Sequence, residues 1–208
     1  MSRRHQGGLL ASVLMLAACT APTPLPDFRY YALPEPTAVQ ASGKPLFDVP
    51  VVIDYLRAEG VRGERPILYT SAADRIKLLQ YHYQLWSEPP TTLAQQFLIR
   101  KLESARIAPL VTDQLSLRLP ALRFTGDLLR FERVRMGESW SAAVELRLRA
   151  VSARGEMPLL DRAYRAEIPA TDQNLESSIA AFQQALDRIG EELIEDLRAL
   201  PPQPAAAG

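Results

Sequence analysis

Residues 144–150, VELRLRA, decide the fold of this chain. Apolar and charged residues alternate strictly in this stretch, which places the apolar side chains on one face of a β-strand and the charged ones on the other. One face of the strand is therefore predicted to be buried and the other to be in contact with water. That pattern is typical of an antiparallel sheet, because parallel sheets are usually covered on both faces.

Further strands are predicted on both sides of this one, from runs of β-branched and aromatic residues bounded by turn residues. They span residues 28–33, 47–56, 67–71, 75–85, 110–112, 117–134, 140–153 and 160–168. Large residues occupy both parities in 75–85, so we expect that strand to be covered on both faces. The parity of the apolar residues shifts between Leu128 and Leu129, beside Gly126, which predicts a β-bulge. The last three long strands should form an antiparallel meander.

Two segments have helical periodicity instead. In residues 88–106 we expect Ser87 to cap the helix, the prolines that follow to lie in its first turn, and Arg100, Lys101 and Glu103 to face away from the core. In residues 173–200 an apolar stripe lies opposite acidic residues that include Asp187. The stripe either packs on the chain's own sheet or serves a coiled coil or partner helix. The fold class predicted is α/β (α+β), a single domain with a mainly antiparallel sheet packed by these two amphipathic helices.

Composition and charge exclude some classes of protein. The chain is 47% hydrophobic and 23% charged, with 24 basic and 24 acidic residues, which is typical of a globular protein. Loss of a leader that contains Arg3 and Arg4 leaves 22 basic residues against the same 24 acidic ones. The arginines are also scattered among glutamates along the strands. We therefore expect no nucleic-acid partner, because such proteins need a concentrated basic face.

The N-terminus has the organisation of a bacterial signal peptide. Arg3 and Arg4 precede an apolar stretch, residues 9–17, that is about half of the roughly 20 residues needed to span a bilayer. We therefore predict that residues 1–18 form a lipoprotein signal peptide. An ordinary secretory peptide that happens to contain a cysteine is the alternative.

The sequence before the only cysteine matches the lipobox of bacterial lipoproteins. Its residues are Leu16, Ala17, Ala18 and Cys19. The sulfur of Cys19 is the predicted site of a diacylglycerol group, and its amino group the site of an N-acyl chain; no other cofactor is expected. Two or more acyl chains hold a protein firmly on a membrane. In enterobacterial sorting an Asp after the cysteine favours the inner membrane, so Thr20 indicates the outer membrane, with the domain in the periplasm.

The remaining boundaries follow from composition. Residues 19–27 contain three prolines and are predicted to be an extended tether between lipid and domain. Residues 28–200 form the predicted domain. Residues 201–208 offer little to bury and are predicted to be a disordered tail.

Catalytic and metal-binding patterns are nearly lacking in the sequence. His82 is the only histidine after the predicted leader, and no GxSxG nucleophile elbow, zinc-ligand spacing or glycine-rich phosphate loop accompanies it. We therefore predict no metal site and no enzyme activity. A periplasmic hydrolase that uses His82 is kept as a rival hypothesis.

Four short segments together resemble a known family. They are YYAL at 30–33, VVIDYL at 51–56, PILY at 66–69 and YHYQLWSEPP at 81–90. In this order after a lipobox they resemble the auxiliary lipoproteins of ABC-type transport systems, a family that includes the lipoprotein encoded beside paraquat-inducible MCE-domain proteins. The positions that carry the resemblance are Tyr31, Tyr55, Leu56, Trp86, Glu88 and Pro89, and they are structural or interface candidates.

This resemblance implies a function and partners. It implies an outer-membrane lipoprotein that docks an MCE-domain protein. With the ATPase and permease of an ABC transporter, this protein would move lipid or hydrophobic solutes between membranes. The resemblance also allows a homo-oligomer. One alternative is a lipoprotein that binds a lipid itself, in an apolar groove lined by residues such as Leu79, Phe97 or Ile179. Another is a structural lipoprotein that maintains envelope integrity.

Overall fold

The computed structural model describes residues 26–39, 43–152 and 158–200. Leu16, Ala17, Ala18, Cys19 and the predicted tail at 201–208 lie outside these ranges. The described residues form eight strands, two α-helices and a short 3₁₀ helix at Gly60–Gly63. The strands are β1 (Arg29–Tyr31), β2 (Val51–Arg57), β3 (Pro66–Ser71), β4 (Asp74–Trp86), β5 (Val111–Thr112), β6 (Leu122–Met136), β7 (Ser139–Val151) and β8 (Pro158–Pro169), and the helices are α1 (Pro90–Ser104) and α2 (Leu175–Ala199).

The eight strands form one sheet that branches at β6. On one side β6 pairs with β7, and β7 with β8, in the antiparallel meander that the sequence predicts. On its other side the first half of β6 pairs in parallel with β2, and the second half with β3. Strand β3 continues to β4 and β1, and β2 continues to β5. The long pairings are antiparallel and the parallel ones are short, so the predicted fold class, an α+β domain with a mainly antiparallel sheet, is confirmed.

The predicted bulge is present in β6. The register against β7 shifts between Leu128 and Arg130, so Leu129 is the extra residue. Three residues before Leu129, a Cβ atom on Gly126 would lie 2.5 Å from the carbonyl oxygen of Arg147 and 2.8 Å from the side chain of Leu148. Only glycine fits this close approach of the strands.

Both helices pack on the chain's own sheet and contact each other. Phe182 of α2 stacks on Phe131 of β6 at 4.6 Å between ring centroids, and Trp86 contacts both rings at 5.2 Å. The apolar stripe of α2 is therefore occupied within the molecule. We call this side of the sheet the helix-covered face, and the side that carries Glu132, Glu145, Arg147 and Arg149 the open face.

The sequence prediction was wrong about the exposure of two charged residues. Lys101 of α1 and Asp187 of α2 were expected to face solvent, yet the side chain of Lys101 is fully buried and that of Asp187 is 10% exposed. They form an ion pair of 2.8 Å at the helix–helix contact. Gly190 makes room for it, because a Cβ there would lie 2.8 Å from the Lys101 side chain.

The expectation that β4 is covered on both faces was also wrong. Ile76 is 96% exposed, Leu79 47% and Tyr83 39%, and only Trp86 at the end of β4 is fully buried. The reason is the position of β4, which lies between β3 and the three-residue β1 at one end of the sheet. The predicted cap was wrong as well: Pro89 occupies the N-cap of α1, with no side-chain cap, and the N–H of Ser87 donates to the carbonyl of Tyr31.

Candidate functional site

The turn at Trp86-Ser87-Glu88-Pro89 lies where β1, β3, β4 and α1 meet. Tyr31 of β1 is in parallel register with Trp86, and the N–H of Ser87 donates to the Tyr31 carbonyl at 2.7 Å. The backbone N–H of Trp86 donates to the carbonyl of Arg65 at 2.8 Å. The side-chain Nε of Arg65 donates in turn to the carbonyl of Trp86 at 3.0 Å. These bonds fix the chain that enters the domain against the strand that leads into α1.

Part of the motif that carries the family resemblance is core. Trp86 and Leu56 have no exposed surface. The Trp86 ring contacts both Phe131 and Phe182, and its Nε1 has no hydrogen-bond partner among the described residues. These two motif positions therefore belong to the core and do not themselves meet a partner.

The other motif positions are accessible. Tyr55 is 63% exposed, and its phenol oxygen accepts a hydrogen bond of 3.3 Å from the hydroxyl of Thr91 in α1. Glu88 is exposed, while Tyr31 and Pro89 are half-buried. The motif thus has an internal part that holds the turn and an external part that remains available for contacts.

A cluster of exposed aromatic side chains lies beside this turn. Phe28 and Tyr30 are 59% and 58% exposed, and Tyr83 is 39% exposed. The rings of Phe28 and Tyr83 lie 5.6 Å apart, and the guanidinium of Arg65 lies 5.0 Å from the centre of the Tyr30 ring. We call Phe28, Tyr30 and Tyr83 the tether-proximal aromatic surface, because the described chain begins only two residues before Phe28.

Sequence reasoning placed Phe28 and Tyr30 in a strand but did not identify them as a surface. These side chains are exposed because β1 is a three-residue strand at the end of the sheet, with a neighbouring strand on one side. That pairing joins residues 29–31 to residues 84–86, and the sequence pattern does not reveal which distant strand β1 meets.

A buried arginine supports the sheet next to this region. Arg133 of β6 donates from Nε to the Ser178 hydroxyl at 2.9 Å and also hydrogen-bonds the phenol oxygen of Tyr81. Its guanidinium lies 4.0 Å from the centre of the Trp140 ring. Burial lowers the pKa of Arg133 from its ordinary value. This arginine ties β4 and β6 to the start of α2, and nothing in the sequence pattern distinguishes it from exposed arginines.

The residues considered for catalysis and metal binding are not brought together. His82 is exposed on β4, with Tyr83 the nearest ring at 6.3 Å, and within the described ranges no side chain hydrogen-bonds to it. Among residues 26–39, 43–152 and 158–200 no three His, Cys, Asp or Glu side chains are placed to hold a metal ion. Neither α1 nor α2 is long and apolar enough to cross a membrane.

The residues suggested for a lipid-binding groove are separated as well. Phe97 has no exposed surface and Ile179 is 6% exposed, and both belong to the hydrophobic core. Leu79 is on β4 and 47% exposed. These three residues therefore do not line one groove, and that specific expectation was wrong.

Comparison with known proteins gives a family and a fold. The family model described as "ABC-type transport auxiliary lipoprotein component" matches residues 31–193. No curated protein matches the chain. Among solved structures, protein XCC0632 from Xanthomonas campestris is 20% identical, with 82% of this chain and 96% of that one covered at a TM-score of 0.68. A second, uncharacterized protein is 14% identical, with 83% and 99% covered at a TM-score of 0.62. At these identities the structural similarities concern the fold alone.

Proposed function

The chain belongs to the family of ABC-type transport auxiliary lipoprotein components, and from that premise we propose that it is a non-catalytic accessory lipoprotein that docks an MCE-domain protein at the outer membrane. The observation that carries the proposal is the family match, which extends over nearly the whole described domain. In this arrangement the ATPase and permease of the transporter supply the energy. The present chain holds the periplasmic component at its membrane.

The anchor in this proposal is Cys19 with its lipobox, Leu16, Ala17 and Ala18. Nine residues, 19–27, separate the lipid from the aromatic surface. At about 3.1 Å per residue for extended proline-rich chain, the tether holds the domain within roughly 30 Å of the lipid. The tether-proximal aromatic surface is then the first part of the domain above the membrane.

The docking surface in this proposal is the tether-proximal aromatic surface with the turn beside it. Tyrosine and other aromatic side chains dominate the binding energy of protein interfaces because they bury a large area at a small entropic cost. Among the described strands β1 is paired with β4 alone and so ends the sheet on this side, and an unpaired strand edge accepts a strand from another chain. Tyr55 and Glu88 supply exposed polar groups near the same turn.

A non-catalytic role agrees with the surroundings of His82, the one histidine of the domain. General base catalysis needs the histidine to be oriented by a second group, and no such group hydrogen-bonds to His82 in the described residues. A His82→Ala variant should transport as well as the unchanged protein. Loss of transport in that variant would restore the hydrolase hypothesis.

The anchor is tested by metabolic labelling with radioactive palmitate and by fractionation of the cell envelope. We expect the unchanged protein to be labelled and to sediment with outer membranes, and Cys19→Ser to be unlabelled and to stay unprocessed or soluble. Thr20→Asp tests sorting in an enterobacterial host, where it should move the protein to the inner membrane. A Cys19→Ser protein that is processed and fractionated as before contradicts the proposed anchor.

Docking is tested by co-purification of the MCE-domain protein with the full-length lipoprotein from detergent extracts. Tyr30→Ser combined with Tyr83→Ser should reduce recovery of the partner about tenfold or more, because each residue is expected to be an interface anchor. Leu117→Ser is the matched control, since Leu117 is 85% exposed in the loop between β5 and β6, and it should leave recovery unchanged. Equal recovery with the double variant and the control would reject this surface as the docking site.

A further inference from the structure

A cleft on the open face of the sheet is lined by arginines. It lies between the 3₁₀ helix and strands β6 and β7 and has a volume of about 490 Å³. Arg57, Arg62 and Arg147 line it. An adjoining depression of about 130 Å³ shares Arg57 and Arg147 and adds Arg149. The combined volume lies in the range of small-molecule sites, and we call these four arginines the arginine cleft.

The guanidinium groups of the cleft have more donors than their neighbours use. Arg57 bonds Asp127 through Nη2 at 3.0 Å, and Arg147 bonds Asp161 through Nε at 2.9 Å. Arg149 bonds the other oxygen of Asp161 through Nε and Nη2, at 3.2 Å and 2.7 Å. Because each guanidinium carries five N–H donors, most donors of these arginines remain available to a ligand.

Arg62 adds a buried donor group to the lining of the cleft. Its Nε is buried and has no hydrogen-bond acceptor among the described residues. A buried polar group of this kind normally has a partner, because leaving it unpaired costs free energy. Arg62 lies in the last turn of the 3₁₀ helix and lines the cleft, so an acceptor bound in the cleft would be close to it.

The carboxylates of the cleft do not neutralise its arginines. The four arginines face three acidic side chains, those of Asp127, Asp161 and Glu59. Hydrogen bonds from Arg147 and Arg149 hold the pKa of Asp161 below its ordinary range, so Asp161 is ionised at neutral pH and both arginines are held in place. The lining therefore retains a positive charge with its donors already oriented.

The cleft also has an apolar part. Leu128 and Leu129, together with Ala58, line it beside the arginines. Leu129 is the extra residue of the β6 bulge, and bulges often redirect a side chain next to a functional site. An exposed leucine next to several guanidinium groups offers contact to a ligand that has both an anionic and an apolar portion.

We propose that the arginine cleft binds a phosphate-class oxyanion that carries an apolar substituent. Arginine is suited to this chemistry because its planar fork matches the oxygens of a phosphate. The same chemistry occurs in the headgroup of an anionic phospholipid and in a free phosphate ester. The cleft goes beyond the proposed docking function, since none of its lining residues belongs to β1 or β4, and neither function needs the other.

The experiment measures binding by the full-length lipoprotein in neutral detergent, by isothermal titration calorimetry. The probes are dihexanoyl phosphatidylglycerol, dihexanoyl phosphatidic acid and inorganic phosphate. The test variants are Arg62→Gln and Arg147→Gln. The control is Arg165→Gln. Arg165 is on β8 of the same meander, is 73% exposed and is paired with one carboxylate, that of Glu145 at 2.9 Å, but it does not line the cleft.

We expect saturable binding of at least one probe. The affinity should fall roughly tenfold or more in each test variant, because hydrogen bonds to charged groups are lost. It should be unchanged in the control. Tighter binding of the lipids than of phosphate identifies a headgroup site, and equal binding rejects the apolar substituent of the proposed ligand. No saturable binding of any probe overturns the proposal, and so does equal weakening in Arg165→Gln. Thermal melting of each variant confirms that it is folded. Co-purification of the MCE-domain protein, measured in parallel, separates failure of this proposal from failure of docking.

Discussion

The two faces of the sheet use ion pairs in different ways. On the helix-covered face, Lys101 is fully buried, and its ammonium group contacts Asp187 at 2.8 Å, the carbonyl of Thr37 at 3.0 Å and Glu191 at 3.3 Å. On the open face, the side chains of Arg147 and Arg149 are 55% and 53% exposed and share one carboxylate. Lysine has three donors and all are used, whereas the arginines retain unused ones.

The charged groups of the helix-covered face hold the fold together, whereas those of the open face can still bind other molecules. Asp187 also accepts two bonds from Thr37, from its N–H at 3.0 Å and from its hydroxyl at 2.8 Å. The buried pair therefore fastens the segment after β1 onto both helices, and its groups are not available for other contacts. The open-face arginines contribute little to the fold and are placed to meet a ligand.

The largest expected effect is on the helix-covered face. Trp86→Ala should lower the free energy of unfolding by about 3–5 kcal/mol, because it removes a buried ring that contacts Phe131 and Phe182 and leaves a cavity. Urea denaturation of the purified full-length protein measures the change. A loss below about 1 kcal/mol, outside the range for large core aromatics, would show that this cluster does not hold the fold.

The next largest effect should come from the buried pair. Lys101→Met should destabilise the protein by about 3 kcal/mol, because it leaves Asp187 as an uncompensated buried charge. Combining it with Asp187→Leu should recover part of that loss, since an apolar pair of similar size removes the unpaired charge. The double variant is thus the internal control. If the loss in the double variant equals or exceeds the sum of the two single losses, the pair is not coupled as described.

The smallest effect should be on the open face and should depend on pH. The pKa of Asp161 is lowered by its hydrogen bonds to Arg147 and Arg149, so its stabilising contribution is complete above the ordinary Asp pKa of about 3.9. The contribution is lost as the pH falls through the lowered value. The difference in melting temperature between the unchanged protein and Asp161→Asn should therefore be small at pH 7 and shrink towards pH 3. A difference that grows on acidification contradicts the assigned ionisation.

The sequence predicted the meander and both helices because their patterns are local. Alternation in β7 and three-to-four spacing in α2 depend on neighbouring residues alone, and even the bulge at Leu129 appeared as a shift in parity. The family resemblance was confirmed as well, since the family model matches residues 31–193.

The failures concern contacts between distant segments. Lys101 and Asp187 are 86 residues apart. Each lies at a position that its own helix pattern predicts to be exposed, and only the contact between the two helices buries it. The exposure of Ile76 and Tyr83 likewise depends on the neighbours of β4 in the sheet, which its own alternation does not reveal. The arginine cleft was missed for the same reason, because it joins the 3₁₀ helix to β6 and β7.

The claim at the centre of this account is that the tether-proximal aromatic surface meets the transport partner. Its most direct test is a photo-crosslinking amino acid placed at Tyr83 of the full-length protein in living cells, with the same amino acid at Arg165 on the open face as the comparison. The account predicts a crosslink from position 83 to the MCE-domain protein, detected by an antibody against that protein, and none from position 165. Crosslinks to the MCE-domain protein from position 165 alone, or from neither position, would contradict it.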